Sequence, residues 1–443
     1  MRKNTFVPVL LLLVLLLSLA ARAEKRPSSS FRDELVDRFS RYVKVDTQSQ
    51  EDTGKTPSTE KQFELARMLA EELKQIGLEE VNIDALGFVT ATLPATLPPE
   101  KAAEVPVIGL LAHMDTSPEA PGADVKPILH RNYDGKDIVL PGDPTQVIRL
   151  AETPELSKRA GHDLITSDGT TLLGADDKAG IAVLMTALHY LKQHPEVPHG
   201  KVRVAFTVDE ETGTGITHFD LDKFGARYAY TFDGGQAPEM ENETWNADRA
   251  TITFIGRIAH AGRAKGKMIS AVRAAASFIE QLPANMLAET TSGRDGFVYP
   301  YRIEGGIDRV KLTALLRDFT LEGLKAKEEM LEKIRQAVMA TFPGLQIRLE
   351  IAEQYRNMKH ELDKFPQVLG NAMMAARRIG LEPQLKSIRG GTDGANMTLR
   401  GVPTPNIFSG GGNYHSRLEY VSVNEMEQSA LLAIELVKIW AEK

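Results

Sequence analysis

Apolar positions along this chain recur with two different periods, and the switches between them mark out its elements. Residues 31–42 and 60–76 carry apolar side chains at helical spacing, and Gly77 stops the second run as a helix-ending residue does. A third amphipathic helix is expected over 179–192. Continuous apolar, β-rich runs at 105–112, 202–208 and 226–232 read as strands of a buried sheet. Strands alternating with helices predict an α/β domain. The Pro- and Gly-bearing stretch 118–160 is weakly periodic and reads as an excursion beside a site, without core elements.

From Ala250 the order of elements changes. Strand 251–257, helix 268–282, strands 297–304 and 310–319, helix 321–342 and strand 345–354 give β-α-β-β-α-β, the order of a ferredoxin-like α+β unit. Four segments are therefore expected: a leader at 1–23, a catalytic α/β domain beginning at 31–245, an inserted lid or dimerisation domain at 246–354, and a return to the catalytic domain at 355–443.

Composition narrows the possibilities. A chain of 443 residues with 42% hydrophobic content is long enough for two cores. Arg2 and Lys3, the apolar run 6–20 and the small-x-small triplet Ala21-Arg22-Ala23 form the pattern of a cleavable export signal, which places the expected mature protein in the periplasm or outside the cell. The apolar run falls short of the ~18–20 residues of a spanning helix, so no stable membrane partner is expected. There is no cysteine, hence no disulfide and no lipid anchor through one. A formal charge of −7 argues against a nucleic-acid partner.

Five short patches carry the candidate chemistry: His113-Met114-Asp115, Gly174-Ala175-Asp176-Asp177, Asp209-Glu210-Glu211, Asp233-Gly234-Gly235 and Tyr414-His415. Three follow directly on expected strands, and open α/β sheets bind ligands beyond the carboxyl ends of their strands. Asp-Glu-Glu alone would be a solvated turn, and Asp-Asp alone a helix cap. Joined by two histidines they supply the mixture of imidazole and carboxylate that a pair of divalent ions sharing one carboxylate requires, the arrangement of a two-zinc hydrolase. The histidines at 130, 162, 189, 194, 199, 218 and 360 have no partnering motif and read as surface residues.

The segments HMDTSPEAPG (113–122), TLLGADDKAGIA (171–182), VAFTVDEETG (204–213), FDGG (232–235), HAGRAKG (260–266), RGGTDGAN (389–396) and TPNIFSGGGNYHSR (404–417) occur in the order found in the aminotripeptidases of the M20 metallopeptidase family, which the chain resembles from about residue 31 to its end. The resemblance implies a zinc-exopeptidase-like catalytic domain with an inserted lid. It implies two Zn2+ per subunit, Co2+ or Mn2+ being able to substitute, with His113 and Asp233 on one ion, Glu211 and His415 on the other, and Asp176 bridging. Glu210 would be the general base, and Asp115 would orient His113. In the lid, His260 would reach the oxyanion, commonly in a partner subunit, which implies a homodimer. Ala261 stands where the family has proline, and Arg263 where it has a small residue. Arg317 is the expected clamp for a substrate carboxylate, and Arg389 heads a Gly-rich substrate-side loop that includes Asn396. The expected activity is release of the first residue from short peptides, foremost tripeptides. A sibling dipeptidase, carboxypeptidase or amide deacylase would share the same ligands, and a non-catalytic peptide-binding protein would have no need of Asp115 and Glu210.

Overall fold

The apolar runs read as strands lie side by side in one eight-stranded sheet of a computed structural model, which describes residues 29–442. From edge to edge its strands are Glu79–Ile83, Val89–Leu93, Val202–Thr207, Ile108–His113, Tyr228–Gly234, Asn406–Phe408, Glu239–Glu243 and Gln384–Ser387. Ile108–His113 runs parallel to both neighbours, pairing His113 with Thr207 and Leu111 with Thr231. The carboxyl ends of the three central strands therefore reach the same edge. Every residue of Ile108–His113 and Val202–Thr207 is buried, as expected for strands covered on both faces.

The covering helices follow their apolar faces. Ala175–Gln193 packs against the sheet, against Ser29–Tyr42 and against the carboxyl-terminal helix Val423–Ala441. Gly77 ends Gln62–Ile76 at φ 91°, returning its N–H to Leu73 and Lys74. Across the pair of amino-terminal helices, the Glu72 carboxylate accepts hydrogen bonds from Arg38 Nε at 2.7 Å and Tyr42 Oη at 2.8 Å. Burial works to raise the Glu72 pKa, but these donors and Arg41 lower it overall. A depressed folded pKa contributes stability that is complete above the unfolded value and lost as pH falls through the folded one. Glu72→Gln is accordingly expected to cost about 2 kcal/mol at pH 7, with the difference from wild type shrinking below pH 4.5. Urea unfolding at several pH values checks this, and a pH-independent difference would refute it.

The six elements expected after Ala250 form a second, four-stranded antiparallel sheet in the order Phe297–Gly305, Arg309–Asp318, Asn246–Ile255, Gln346–Tyr355. Helices Ala271–Glu280 and Leu321–Thr341 cover one face. Its buried residues, among them Phe254, Phe278, Leu312 and Leu331, make a cluster separate from that of the large sheet. The first strand begins at Asn246, five residues before the alternating run, because Trp245 is itself buried and stacks on Phe319.

The segment 118–160 differs from the expected bare excursion. It contains the short strands Ile128–His130, Ile138–Val139 and Val147–Ile148 and a 3-10 helix, Pro154–Arg159. Tyr133, Leu140, Ile148, Leu156 and Tyr420 form its own small core. Leu164, Leu418 and Tyr420 join that core from other parts of the chain, so its packing is only partly local, in keeping with the weak local periodicity. His199, read as a surface residue, is fully buried, with Nδ1 2.8 Å from the Gly200 carbonyl.

Candidate metal centre and cleft

Sheet geometry brings the five patches together. His113 is the last residue of its strand, Asp233 the penultimate residue of Tyr228–Gly234, and Glu210 and Glu211 follow Val202–Thr207 in the turn. Asp176 and Asp177 open the helix Ala175–Gln193 with non-helical backbone angles. His415 sits at φ 60°, in the left-handed region that non-glycine residues adopt rarely and often at functional sites.

Asp176 stands between two imidazoles. Its Oδ1 lies 2.8 Å from His113 Nε2 and its Oδ2 3.4 Å from His415 Nε2. On the first side Asp233 Oδ1 is 3.5 Å from His113 Nε2, and on the second Glu211 Oε2 is 2.8 Å from His415 Nε2. Donor atoms of His113, Asp176 and Glu211 fall within 4.8 Å of one another, as do those of His113, Asp177 and Asp233. Asp177, which the sequence reading gave no ligand role, also accepts from the His113 and Gly180 backbone N–H groups.

The supporting contacts are specific. His113 Nδ1 lies 3.0 Å from the Asp115 carbonyl oxygen and 3.4 Å from its Oδ1. The Asp115 carboxylate accepts from the backbone N–H groups of Glu210 at 3.0 Å and Glu211 at 3.2 Å, tying two of the patches together. Two partners were not among the expected site residues. Glu419 accepts from the backbone N–H groups of Leu173, Gly174 and Asp176, and Glu119 Oε2 lies 3.1 Å from His415 Nδ1.

Charge balance at this cluster favours added cations. Burial and the neighbouring Asp233 push the Glu210 carboxyl well above its ordinary range. Burial also raises Glu211 and Asp233 to about 7 each, Asp176 adding to both. Burial acts in the same sense on Asp176, but hydrogen bonds to His113 and His415 hold it well below the carboxylate range. His415 is raised to about 11 by Asp176 and Glu211. More carboxylates crowd here than two imidazolium groups neutralise, and the buried Glu211 Oε1 has no hydrogen-bond partner. Imidazole and carboxylate donors of this kind suit zinc and its first-row neighbours.

A cleft of about 790 Å³ opens over the cluster. One wall belongs to the large-sheet domain, with Glu210, Glu241 and Asp393, and the other to the small sheet, with Arg249, Gln354 and Tyr355. Asn396 also lines it. Arg317 lies behind Tyr355, its guanidinium 5.6 Å from the ring centroid and donating to the Asp248 and Leu316 carbonyls. Asp318 pairs instead with Lys327 at 2.6 Å. Arg389 donates to the carbonyls of Thr291, Gly293 and Asp295 and stacks over Trp245, fastening its Gly-rich loop to the small domain. His260 is exposed and is not among the residues lining the cleft.

The model of peptidase family M20/M25/M40 matches residues 169–438. Over 412 residues the chain is 48% identical to peptidase T of Geobacillus thermodenitrificans (strain NG80-2), covering 93% of this chain and 99% of that one. It is 44% identical to peptidase T of Listeria monocytogenes serotype 4a (strain HCC23), covering 93% of this chain and all of the relative. Among solved structures, aminopeptidase PepT from Bacillus cereus ATCC 10987 superposes with a TM-score of 0.72 at 27% identity, covering 93% of this chain and 99% of that one.

These relatives correct the reading of the amino terminus. They are accounted for almost whole by 93% of this chain and leave no counterpart for a leader of the expected length. The signal peptide at 1–23 and the periplasmic or secreted placement are therefore withdrawn. Residues 1–23 lie outside the described residues, and among those described no helix is long and apolar enough to cross a membrane. With a family model over more than half of its length and relatives nearly half identical over almost all of it, the chain belongs to peptidase family M20/M25/M40, in its peptidase T branch.

Proposed function

We propose that this peptidase releases the amino-terminal residue of tripeptides with the help of two divalent ions, Zn2+, with Co2+ or Mn2+ able to replace it. The observation that carries the reading is the position of Asp176, one carboxylate oxygen toward each imidazole. His113 and Asp233 would hold one ion, Glu211 and His415 the other, and Asp176 both. When bound, such a pair supplies Lewis acidity that polarises a carbonyl and brings the pKa of water toward neutrality.

The protein's own groups do the rest. Glu210 is assigned the proton: it takes it from the attacking water and delivers it to the leaving amine, and the burial that raises its carboxyl pKa brings it closer to the value a base and acid needs near neutral pH. Asp115 holds the His113 ring and the Glu210 backbone in register. On the lid wall, Arg317 is assigned the substrate carboxylate, with Tyr355 between it and the cleft, and Arg389 the bracing of the substrate-side loop. His260, exposed on a lid loop, is assigned to the oxyanion of a neighbouring subunit's site in a homodimer.

A release assay tests the reading. The zinc-loaded protein is given a free tripeptide, its N-acetylated form, the matching dipeptide and a tetrapeptide, and the products are identified by mass. Cleavage of the free tripeptide alone, into its first residue and a dipeptide, is the expected result. Equal processing of the acetylated peptide, or preference for the dipeptide, would assign the site to a sibling reaction.

A further inference from the structure

We infer that Glu241 is the residue that recognises the free α-ammonium group of the substrate. The inference rests on the aminopeptidase reading above and names the group that would make the enzyme an aminopeptidase. Cleavage after the first residue leaves the ammonium nitrogen two bonds from the scissile carbonyl carbon, roughly 2.5 Å away. Its partner must therefore stand beside the metal centre and yet be spared from it.

Glu241 meets both conditions. It lines the cleft from the strand Glu239–Glu243, which pairs it with Asn406 of the adjoining strand. It lies near enough to Asp176 for the two charges to interact. The other carboxylates of the cleft have other tasks or places. Asp176, Glu211 and Asp233 contact the imidazoles, and Glu210 is assigned the proton. Glu353 is paired with Arg356 at 2.7 Å and mostly exposed. Asp393 is only 3% exposed, and its charge acts on Glu210.

The Glu241 side chain is also held in place. Asn406 Nδ2 donates to its Oε2 at 3.3 Å, and Asn406 Oδ1 in turn accepts from Thr392 Oγ1 at 3.3 Å. Gly394 permits this arrangement: a Cβ there would come within 2.6 Å of Asn406 Oδ1. Among the described residues no Lys, Arg or His forms an ion pair with Glu241, although it is largely enclosed. An enclosed carboxylate without a cation is costly, and an ammonium group arriving with the substrate removes that cost. A metal-centre role would leave the amine without a partner, whereas this fixed, uncommitted carboxylate supplies one.

The test compares Leu-Gly-Gly with its des-amino analogue, 4-methylpentanoyl-Gly-Gly, as substrate or competitive inhibitor of the zinc-loaded full chain. Wild type is expected to favour the free amine. In Glu241→Gln the KM for Leu-Gly-Gly should rise about ten- to hundredfold, the scale of a charge-assisted hydrogen bond, while the constant for the analogue stays within about twofold, so the preference collapses. Glu241→Asp, which keeps the charge, should retain part of it, and it carries the test should the Gln variant not fold. Zinc content and thermal unfolding verify that the variants are intact. An unchanged preference in both variants, or equal losses on both compounds, overturns the role of Glu241 and leaves the aminopeptidase reading standing. A wild type that does not distinguish the two compounds overturns both.

Discussion

Glu210→Gln is expected to lower kcat on a free tripeptide by about a thousandfold, within the range for loss of a general acid–base group, while KM and the bound metal change little. The carboxyl lies next to Glu211 and close to Asp233, yet its place in the assignment is that of proton carrier. Its backbone N–H is fixed by Asp115, so the loop keeps its course when the side chain becomes an amide. Gln preserves shape and removes the ability to accept a proton. Steady-state kinetics with parallel metal analysis separates the possibilities. A variant keeping more than about a tenth of wild-type kcat would exclude Glu210 as the base, and one that loses its metal would make it a ligand.

Asp176→Ala is expected to have the larger structural effect. This residue offers an oxygen to each half of the cluster, so its truncation removes a donor from both assigned sites at once. Affinity for zinc should fall by at least about a hundredfold, the upper end of what is lost even when only an outer-shell partner of a ligand is removed, and tripeptide hydrolysis should be undetectable. There is a second readout besides activity. Zinc should raise the melting temperature of wild type, since a ligand that binds only the folded state stabilises it, and should leave that of the variant unchanged. Metal titration showing two equivalents at wild-type affinity in Asp176→Ala would contradict the bridging assignment.

Much of this was legible in the sequence because the chemistry falls where strands stop. The runs ending before His113, Asp209 and Asp233 are continuous and apolar, and parallel pairing of these three strands brings their ends to one edge. The six elements of the small sheet were legible for the opposite reason: each is long and periodic in its own right. What escaped depends on distant contacts. Glu419 and Glu241 act through contacts between segments more than a hundred residues apart in sequence, with no motif around them, and Glu119, inside the motif 113–122, meets His415 only through the fold. The small core around Tyr133 and Tyr420 was missed likewise. Strands of three to five residues, such as Asn406–Phe408 and Gln384–Ser387, are too short to set a period. The leader was misread because an apolar run behind two basic residues is a purely local signal. Only comparison with whole relatives weighed against it.

Arg389 shows how residue type and residue task separate. Heading a Gly-rich loop, it reads as a substrate-side residue, yet its donors are spent on three backbone carbonyls of the small domain and its face on Trp245. Its proposed contribution is to hold the loop bearing Thr392 and Asp393 against the lid. Arg317 does not line the cleft and lies against Tyr355, which does.

The central claim is a pair of ions bridged by Asp176, and anomalous diffraction at the zinc edge from crystals of the zinc-loaded protein tests it most directly. The account predicts two peaks per chain about 3.5–4 Å apart, one beside His113 and Asp233, the other beside Glu211 and His415, with Asp176 between them. A single peak, or two peaks that Asp176 does not join, would contradict it.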